Sequence, residues 1–269
     1  SKPTLTEQQR LNYEVCVDIT RAVRAEEPEG VTISIGGEIG EVGTENSTPA
    51  ELEAFMEGFN KTLAAQAPGM AGLSKISVQS GTSHGGIVLA DGSIADVKLD
   101  LDTLGTLSRI ARERYGMSGA VQHGASTLPD GAFNNFPRTE TAEIHLATNF
   151  QNMMYDHLPL DLRHDIYAWL SENAKDERKA SDSDEQFFYK TRKKAIGPFK
   201  KRLWSLPQEV RAKLGAAYDE KFRFLFTQLA IGGTRETVAK YVKPPMQHRS
   251  APDGATKFVA APDDADLSD

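Results

Sequence analysis

The sequence predicts an α/β fold made of parallel β/α units. Three observations predict it. Stretches of helical period alternate with short strand-like runs in the order helix, strand, helix, strand, helix, strand, strand, and then helices. The strand-like runs are short and bounded by turn residues. Each is followed by glycines or polar residues, and in a β/α barrel the face beyond the C-terminal strand ends carries the active site.

Residues 6–26 read as a helix, with Leu11, Val15, Ile19, Ala22 and Val23 on one face, Thr4 or Thr6 as cap and Pro28-Glu29-Gly30 as stop. Cys16, beside that face, reads as a partly buried thiol. Val31-Thr32-Ile33-Ser34-Ile35 reads as a strand running into a glycine-rich segment, Gly36 to Gly43, which holds Glu38 and Glu41; Glu45 follows in a polar loop. Those glycines would let the backbone approach a ligand closely. Thr48-Pro49-Ala50-Glu51 is a capping box that opens a helix to about Gln66, with Leu52, Phe55, Met56, Phe59 and Leu63 facing inward. A strand at 74–79 leads into Ser80-Gly81-Thr82-Ser83-His84-Gly85-Gly86, and Asp91-Gly92 marks the turn of a small hairpin. A helix at about 102–115 stops at Gly116, and a strand at 119–122 ends at His123-Gly124-Ala125-Ser126. After an irregular connection, 143–147 is the fourth strand.

Helices follow at about 150–156, 160–173, 183–193, 206–228 and 233–241. The basic cluster around Lys190, Arg192–Lys194 and Lys200–Arg202 reads as a solvated face or a subunit contact, with a phosphate or nucleic-acid patch as the alternative. The proline-bearing tail after Pro244 reads as disordered. The organisation expected is a barrel part over 1–148, a helical extension over 149–243 packing on it, and the tail over 244–269.

Composition narrows the function. Of 269 residues, 39% are apolar and 26% charged, an ordinary balance for a globular protein. A net charge of −7 argues against a general nucleic-acid surface. One cysteine excludes an intrachain disulfide and fits a reducing, cytoplasmic setting. No run reaches the roughly 18–20 apolar residues of a membrane span. The start, Ser-Lys-Pro-Thr, is no signal peptide and lacks Met, so a processed or cut chain is expected.

His84 and His123 are candidate metal ligands, since neutral imidazole suits Zn²⁺, although neither lies in a local zinc spacing. The bland reading is a hydrogen-bonded histidine near a loop. The adjacent glycines, with Thr82, Ser83 and Ser126, would form a phosphate nest or an ordinary turn. Glu38 would orient a ligand or hold a second cation, or else be a solvated carboxylate.

Together, Gly37-Glu38-Ile39-Gly40, Ser80 to Gly85, His123 to Ser126 and Ile144-His145-Leu146-Ala147-Thr148 resemble the class II, zinc-dependent fructose-bisphosphate and tagatose-bisphosphate aldolases in order and spacing. The resemblance runs from about Leu5 to Thr148. It implies the C-terminal half of a (β/α)8 TIM barrel, about four parallel strands, followed by the helical C-terminal extension. It implies Zn²⁺ on His84 and His123, with Glu38 beside it. It implies phosphate and a monovalent cation (Na⁺ or K⁺) at Gly81, Gly85, Gly124 and Ser126, with Thr148 also binding substrate or phosphate. The family's mobile-loop glutamate aligns with Asn46, which makes neighbouring Glu45 the chemical candidate. A phosphorylated sugar substrate and a homo-oligomer are expected, with no nucleic-acid or membrane partner.

Three departures stand out. The family's early Asp-His pair, its acid/base and a further zinc ligand, has no counterpart, and four strands fall short of eight. A fragment of a longer protein is expected. His145 stands where the family has Asn, and would hydrogen-bond to the substrate, act as an acid/base or become a third metal ligand; a core histidine is the bland alternative. Ala125 replaces a glycine, which would shift the substrate away from fructose bisphosphate. The leading expectation is a metal-dependent aldolase of a phosphorylated ketose. A sugar or sugar-acid epimerase and a non-catalytic binding protein are the alternatives.

Overall fold

Thr4 and Glu7 form a capping box that opens α1 (Leu5–Ala25). Thr48 and Glu51 repeat the device at α2 (Pro49–Gln66), with Pro49 at the first helical position. Asp100 caps α3 (Leu101–Tyr115), and Gly116 ends it in the left-handed region at φ 65°. The computed structural model describes residues 3–40, 45–82, 88–91, 93–95 and 99–243.

Four strands, β1 (Gly36–Glu38), β2 (Lys75–Val78), β3 (Ala120–Gln122) and β4 (Glu143–Ile144), form one parallel sheet in the order β1-β2-β3-β4. α2 joins β1 to β2, α3 joins β2 to β3, and a short α4 (Asn135–Arg138) lies between β3 and β4. Sequential parallel strands with helical crossovers are the connectivity of half a (β/α)8 barrel. Ile76, Val78 and Ala120 join residues of α1, α2 and α3 in one buried apolar cluster. The helical extension follows: α5 (Thr148–His157), α6 (Leu160–Asn173), α7 (Asp184–Thr191), α8 (Lys200–Trp204), α9 (Gln208–Gln228) and α10 (Arg235–Tyr241). It has a second cluster around Tyr155, Leu162, Ile166, Leu170 and Phe187, while Leu225 of α9 reaches back into the first. No helix among the described residues is long and apolar enough to cross a membrane.

The structure corrects several local expectations. On α1 the face bearing Leu11, Val15 and Ile19 is exposed, and Tyr13, Val17 and Thr20 are buried instead. The reason lies on α2: a Cβ at Gly58 would sit 2.4 Å from Tyr13 Cε1, so the missing side chain makes the slot for that ring. Residues 31–35 are not a strand. Their backbone is engaged from α1 and the turn after it: Arg24 donates to the Ile33 carbonyl at 2.7 Å, and Ile33 N–H donates to Glu27. Pairing with the β2 side begins only at Ile35, whose carbonyl accepts from Ser74 N–H at 2.8 Å.

The strand is therefore Gly36–Glu38, inside the segment expected to be a ligand loop. Gly37 serves packing, because a Cβ there would meet Leu73 at 2.8 Å and Phe55 at 3.0 Å. The fourth strand stops at Ile144, short of the expected 147, since Ala147 N–H turns to donate to Ser126 Oγ and α5 starts at Thr148. Val88 and Ile94 pair antiparallel, as the hairpin requires; Gly92 lies outside the described residues, and so do Glu41 and the tail beyond 243. In the basic cluster, Lys190 and Arg202 pair with Asp182 and Asp165, each at 2.7 Å, and Lys194 pairs with Glu177. Arg192 is instead buried, with Tyr155 and Tyr189 on its guanidinium.

Candidate active site

In a parallel sheet all C-terminal strand ends lie at one edge. β3 runs into His123 there, and β4 runs into His145. The two strands are paired Val121 to Glu143 and Gln122 to Ile144, so the next residues lie near each other. His145 N–H donates to the Gln122 carbonyl at 2.9 Å, which extends the ladder by one step. The two imidazole rings meet, with centroids 4.3 Å apart and planes inclined at 34°. They border a pocket of about 540 Å³ that is also lined by Gly124, Ser126, Leu146 and Thr148.

Strand alternation puts Glu143 on the same side as His145. His145 Nε2 is hydrogen-bonded to Glu143 Oε1, and Lys75 Nζ donates to Glu143 Oε2. Burial opposes ionisation of Glu143, but the hydrogen bonds from Lys75 and His145 outweigh it and hold the carboxyl below its usual range. The three residues thus form a chain across the sheet, from β2 through β4 to the pocket.

Behind the histidines is a buried polar layer. Gln122 Nε2 donates to the His123 carbonyl at 2.6 Å and to Thr82 Oγ1 at 3.0 Å. Thr82 Oγ1 donates to the same carbonyl at 2.8 Å, and Ser80 Oγ donates to Gln122 Oε1. Gln79 Nε2 donates to the Thr82 carbonyl at 2.9 Å. Ser47 and Gln79 exchange bonds of 2.9 Å, so the loop after β1 is tied to the end of β2. These contacts fix the turn that leaves β2 and the backbone on which His123 stands.

At the pocket floor Gly124 takes φ 68°, and residues 125–127 follow as a 3-10 turn. Ser126 Oγ accepts from Ala147 N–H at 2.6 Å and clamps the β3 loop to the β4 loop. Thr148 begins α5, whose N-terminus has no side-chain cap. Its first backbone N–H groups are the kind of donor that suits an anion.

Five of the residues singled out from the sequence therefore share one pocket: His123, Gly124, Ser126, His145 and Thr148. Glu38 is exposed at the end of β1 and does not line it. Glu45 is exposed too. Its neighbour Asn46 donates to Asp100 Oδ2 at 2.8 Å, in a separate depression with Leu99 and Asp102. Gly81, at φ 92°, makes the turn before Thr82 and is not in the lining. His84 and Gly85 lie outside the described residues.

No protein-family model matches the chain, and no curated protein matches it. Solved structures similar to it include three. A protein assigned as a fructose-1,6-biphosphate aldolase from Coccidioides immitis is 17% identical at a TM-score of 0.40, over 70% of this chain and 58% of that one. The YdjI aldolase from Escherichia coli K12 is 15% identical at 0.34, over 77% and 58%. A probable tagatose 6 phosphate kinase from Sinorhizobium meliloti 1021 is 17% identical at 0.47, over 86% and 59%. The chain spans under three fifths of the length of each. At these similarities the chemistry has to be argued from its own residues.

Sequence reasoning passed over Glu143, Lys75 and Gln122. A signal for the first was present: Glu143 is two residues before His145 on a strand, hence on the same face. For Lys75 and Gln122 the signal was weaker: each is a polar residue at one end of a short strand. Whether the site suits a metal turns on its donors. Two imidazoles in contact, one with a carboxylate on its far nitrogen, are appropriate chemistry for a borderline divalent cation. Among the described residues, no group of three or more His, Cys, Asp or Glu side chains is arranged to hold a metal ion.

Proposed function

We propose that this chain carries the metal and phosphate end of a β/α-barrel lyase, a metal-dependent aldolase acting on a phosphorylated ketose. The observation that carries the reading is the meeting of His123 and His145 beside Gly124, Ser126 and the uncapped start of α5 in one pocket. The metal would be held by His123 and, through the class II aldolase resemblance, by His84. When bound, a Zn²⁺ ion acts as a Lewis acid on the substrate carbonyl.

The chain's own groups do the rest. The αL turn at Gly124 and the first N–H groups of α5 receive the phosphate. The Ser126 clamp keeps the two loops at a fixed separation, so the phosphate and the reacting carbon are positioned together. Gln122 and Thr82 fix the His123 backbone. His145 lies within the pocket, where it orients a substrate hydroxyl or carbonyl in the position the family gives to Asn.

The test is a coupled assay on the full-length protein, following triose phosphate released from phosphorylated ketoses, with and without a chelator. Chelator-sensitive release is expected. Interconversion of C4 epimers without free triose would replace the aldolase by an epimerase on the same site. Neither reaction, in protein loaded with Zn²⁺, would overturn the catalytic reading.

A further inference from the structure

We propose that two copies of this chain pair through their α9–α10 arms, with the apolar side of α10 in one copy lying on the exposed phenylalanines of α9 in the other. This pairing is independent of the lyase reading above. Three observations support it.

First, α10 is uncovered. Residues 231–243 are exposed without exception. Among them Val238, Tyr241 and Val242 are 50%, 72% and 55% exposed, and their i, i+3, i+4 spacing puts them on one side of the helix. A helix of seven residues is well short of the roughly 12–15 that are marginal alone in water, so its stability has to come from packing. Second, the end of α9 is an equally open counter-surface. Phe222 and Phe226 are 41% and 48% exposed and continue a row of rings from Phe150, with successive centroids 4.9 and 5.8 Å apart. Since both surfaces stay exposed, α10 does not fold back over this row in its own chain. The elbow between the two helices is built that way. Ile231 N–H donates to the Phe226 carbonyl and Ala230 N–H to the Thr227 carbonyl, each at 3.2 Å, with Ala230 in the left-handed region at φ 54°. Thr234 Oγ1 then donates to the Ile231 carbonyl at 2.8 Å, and Gly233 takes φ 74°.

Third, the surface suits a symmetric pair. Phe222, Phe226, Ile231, Val238, Tyr241 and Val242 together expose on the order of 500–600 Å² in one copy. A two-fold axis uses that patch twice, which gives about 1,100 Å², just above the roughly 1,000 Å² a specific interface needs. Asp219 and Arg223, paired at 2.7 Å on α9, and the exposed Glu236 and Lys240 of α10 give each surface both signs of charge, so two copies meet without a block of like charge.

The experiment is sedimentation velocity on the full-length protein, from nanomolar to high micromolar concentration, with folding checked by circular dichroism. The parent is expected to be a dimer. Tyr241→Glu on α10 and Phe226→Asp on α9 are each expected to raise the dimer dissociation constant by at least roughly 100-fold. Leu11→Ser, on the exposed face of α1, is expected to leave the dimer unchanged. Val238→Ser, at a fully exposed helix, repeats the measurement if a charged variant does not fold. A parent that is monomeric at every concentration overturns the pairing and leaves the face to the chain's own C-terminal segment or to a different protein. A dimer that persists in both the α9 and the α10 variants overturns it as well, because the contact then lies elsewhere.

Discussion

The two faces of the sheet are built from opposite materials. One face presents Ile76, Val78 and Ala120 to Phe55, Phe59, Leu104 and Leu107, all buried in a single apolar cluster. The other presents Lys75, Glu143 and His145, with side chains 18%, 36% and 47% exposed, beside the buried Ser77 and Val121. Strand alternation makes this possible in strands of only two to four residues. The helix-covered face holds the apolar core, and the other face, at its C-terminal edge, carries the polar groups to which the proposed function assigns chemistry. Substitutions should therefore separate the two properties.

The largest loss of stability is expected on the covered face. Phe55→Ala should cost about 3–5 kcal/mol in denaturant unfolding. A cost below about 1 kcal/mol would mean that α2 is not the main cover of the sheet. Gly58→Ala should cost about 1–3 kcal/mol, because the added Cβ displaces the Tyr13 ring. Thermal melts of this variant and of Tyr13→Ala/Gly58→Ala would tell a steric clash from a loss of helix mobility: the pair should be less than additive.

The covered face was largely legible in the sequence. Leu52, Phe55, Phe59 and Leu63 recur at helical spacing, the capping box at Thr48 fixed where their helix starts, and Gly116 fixed where α3 stops. The outer face of α1 was not. Leu11, Val15 and Ile19 have the spacing of a buried stripe, but the direction of a helix about its own axis is set by its partner, here the gap at Gly58. Strand limits were also hidden, because Arg24 of α1 and Glu27 capture the backbone of Ile33 before the sheet can.

Of the site, the residue types at the ends of β3 and β4 could be read as motifs, and His123, Gly124, Ser126, His145 and Thr148 do share a pocket. Their coupling could not. The Lys75–Glu143–His145 chain joins residues 68 positions apart, and only the parallel register brings them together.

A smaller effect is expected between the faces. Gln122 is fully buried and bonded to Ser80, Thr82 and His123. Gln122→Leu should cost about 1–3 kcal/mol, since it strands those groups without water, and should also lower kcat by loosening the His123 backbone. An unchanged kcat would show that the polar layer is structural only. The smallest effect belongs to α1: Leu11→Ser, at an exposed position, should change stability by no more than about 0.5 kcal/mol. A larger loss in the full-length protein, with none in Phe55→Ala, would invert the assignment of covered and open surfaces.

The most direct measurement pairs activity with stability in His123→Ala. The full-length variant and its parent would be compared by triose-phosphate release and by thermal unfolding in the presence of a chelator. The separation of the two faces predicts that triose-phosphate release falls to background while the metal-free Tm stays within about 2 °C of the parent. Full activity in the variant, or a Tm drop as large as that of Phe55→Ala, would contradict it.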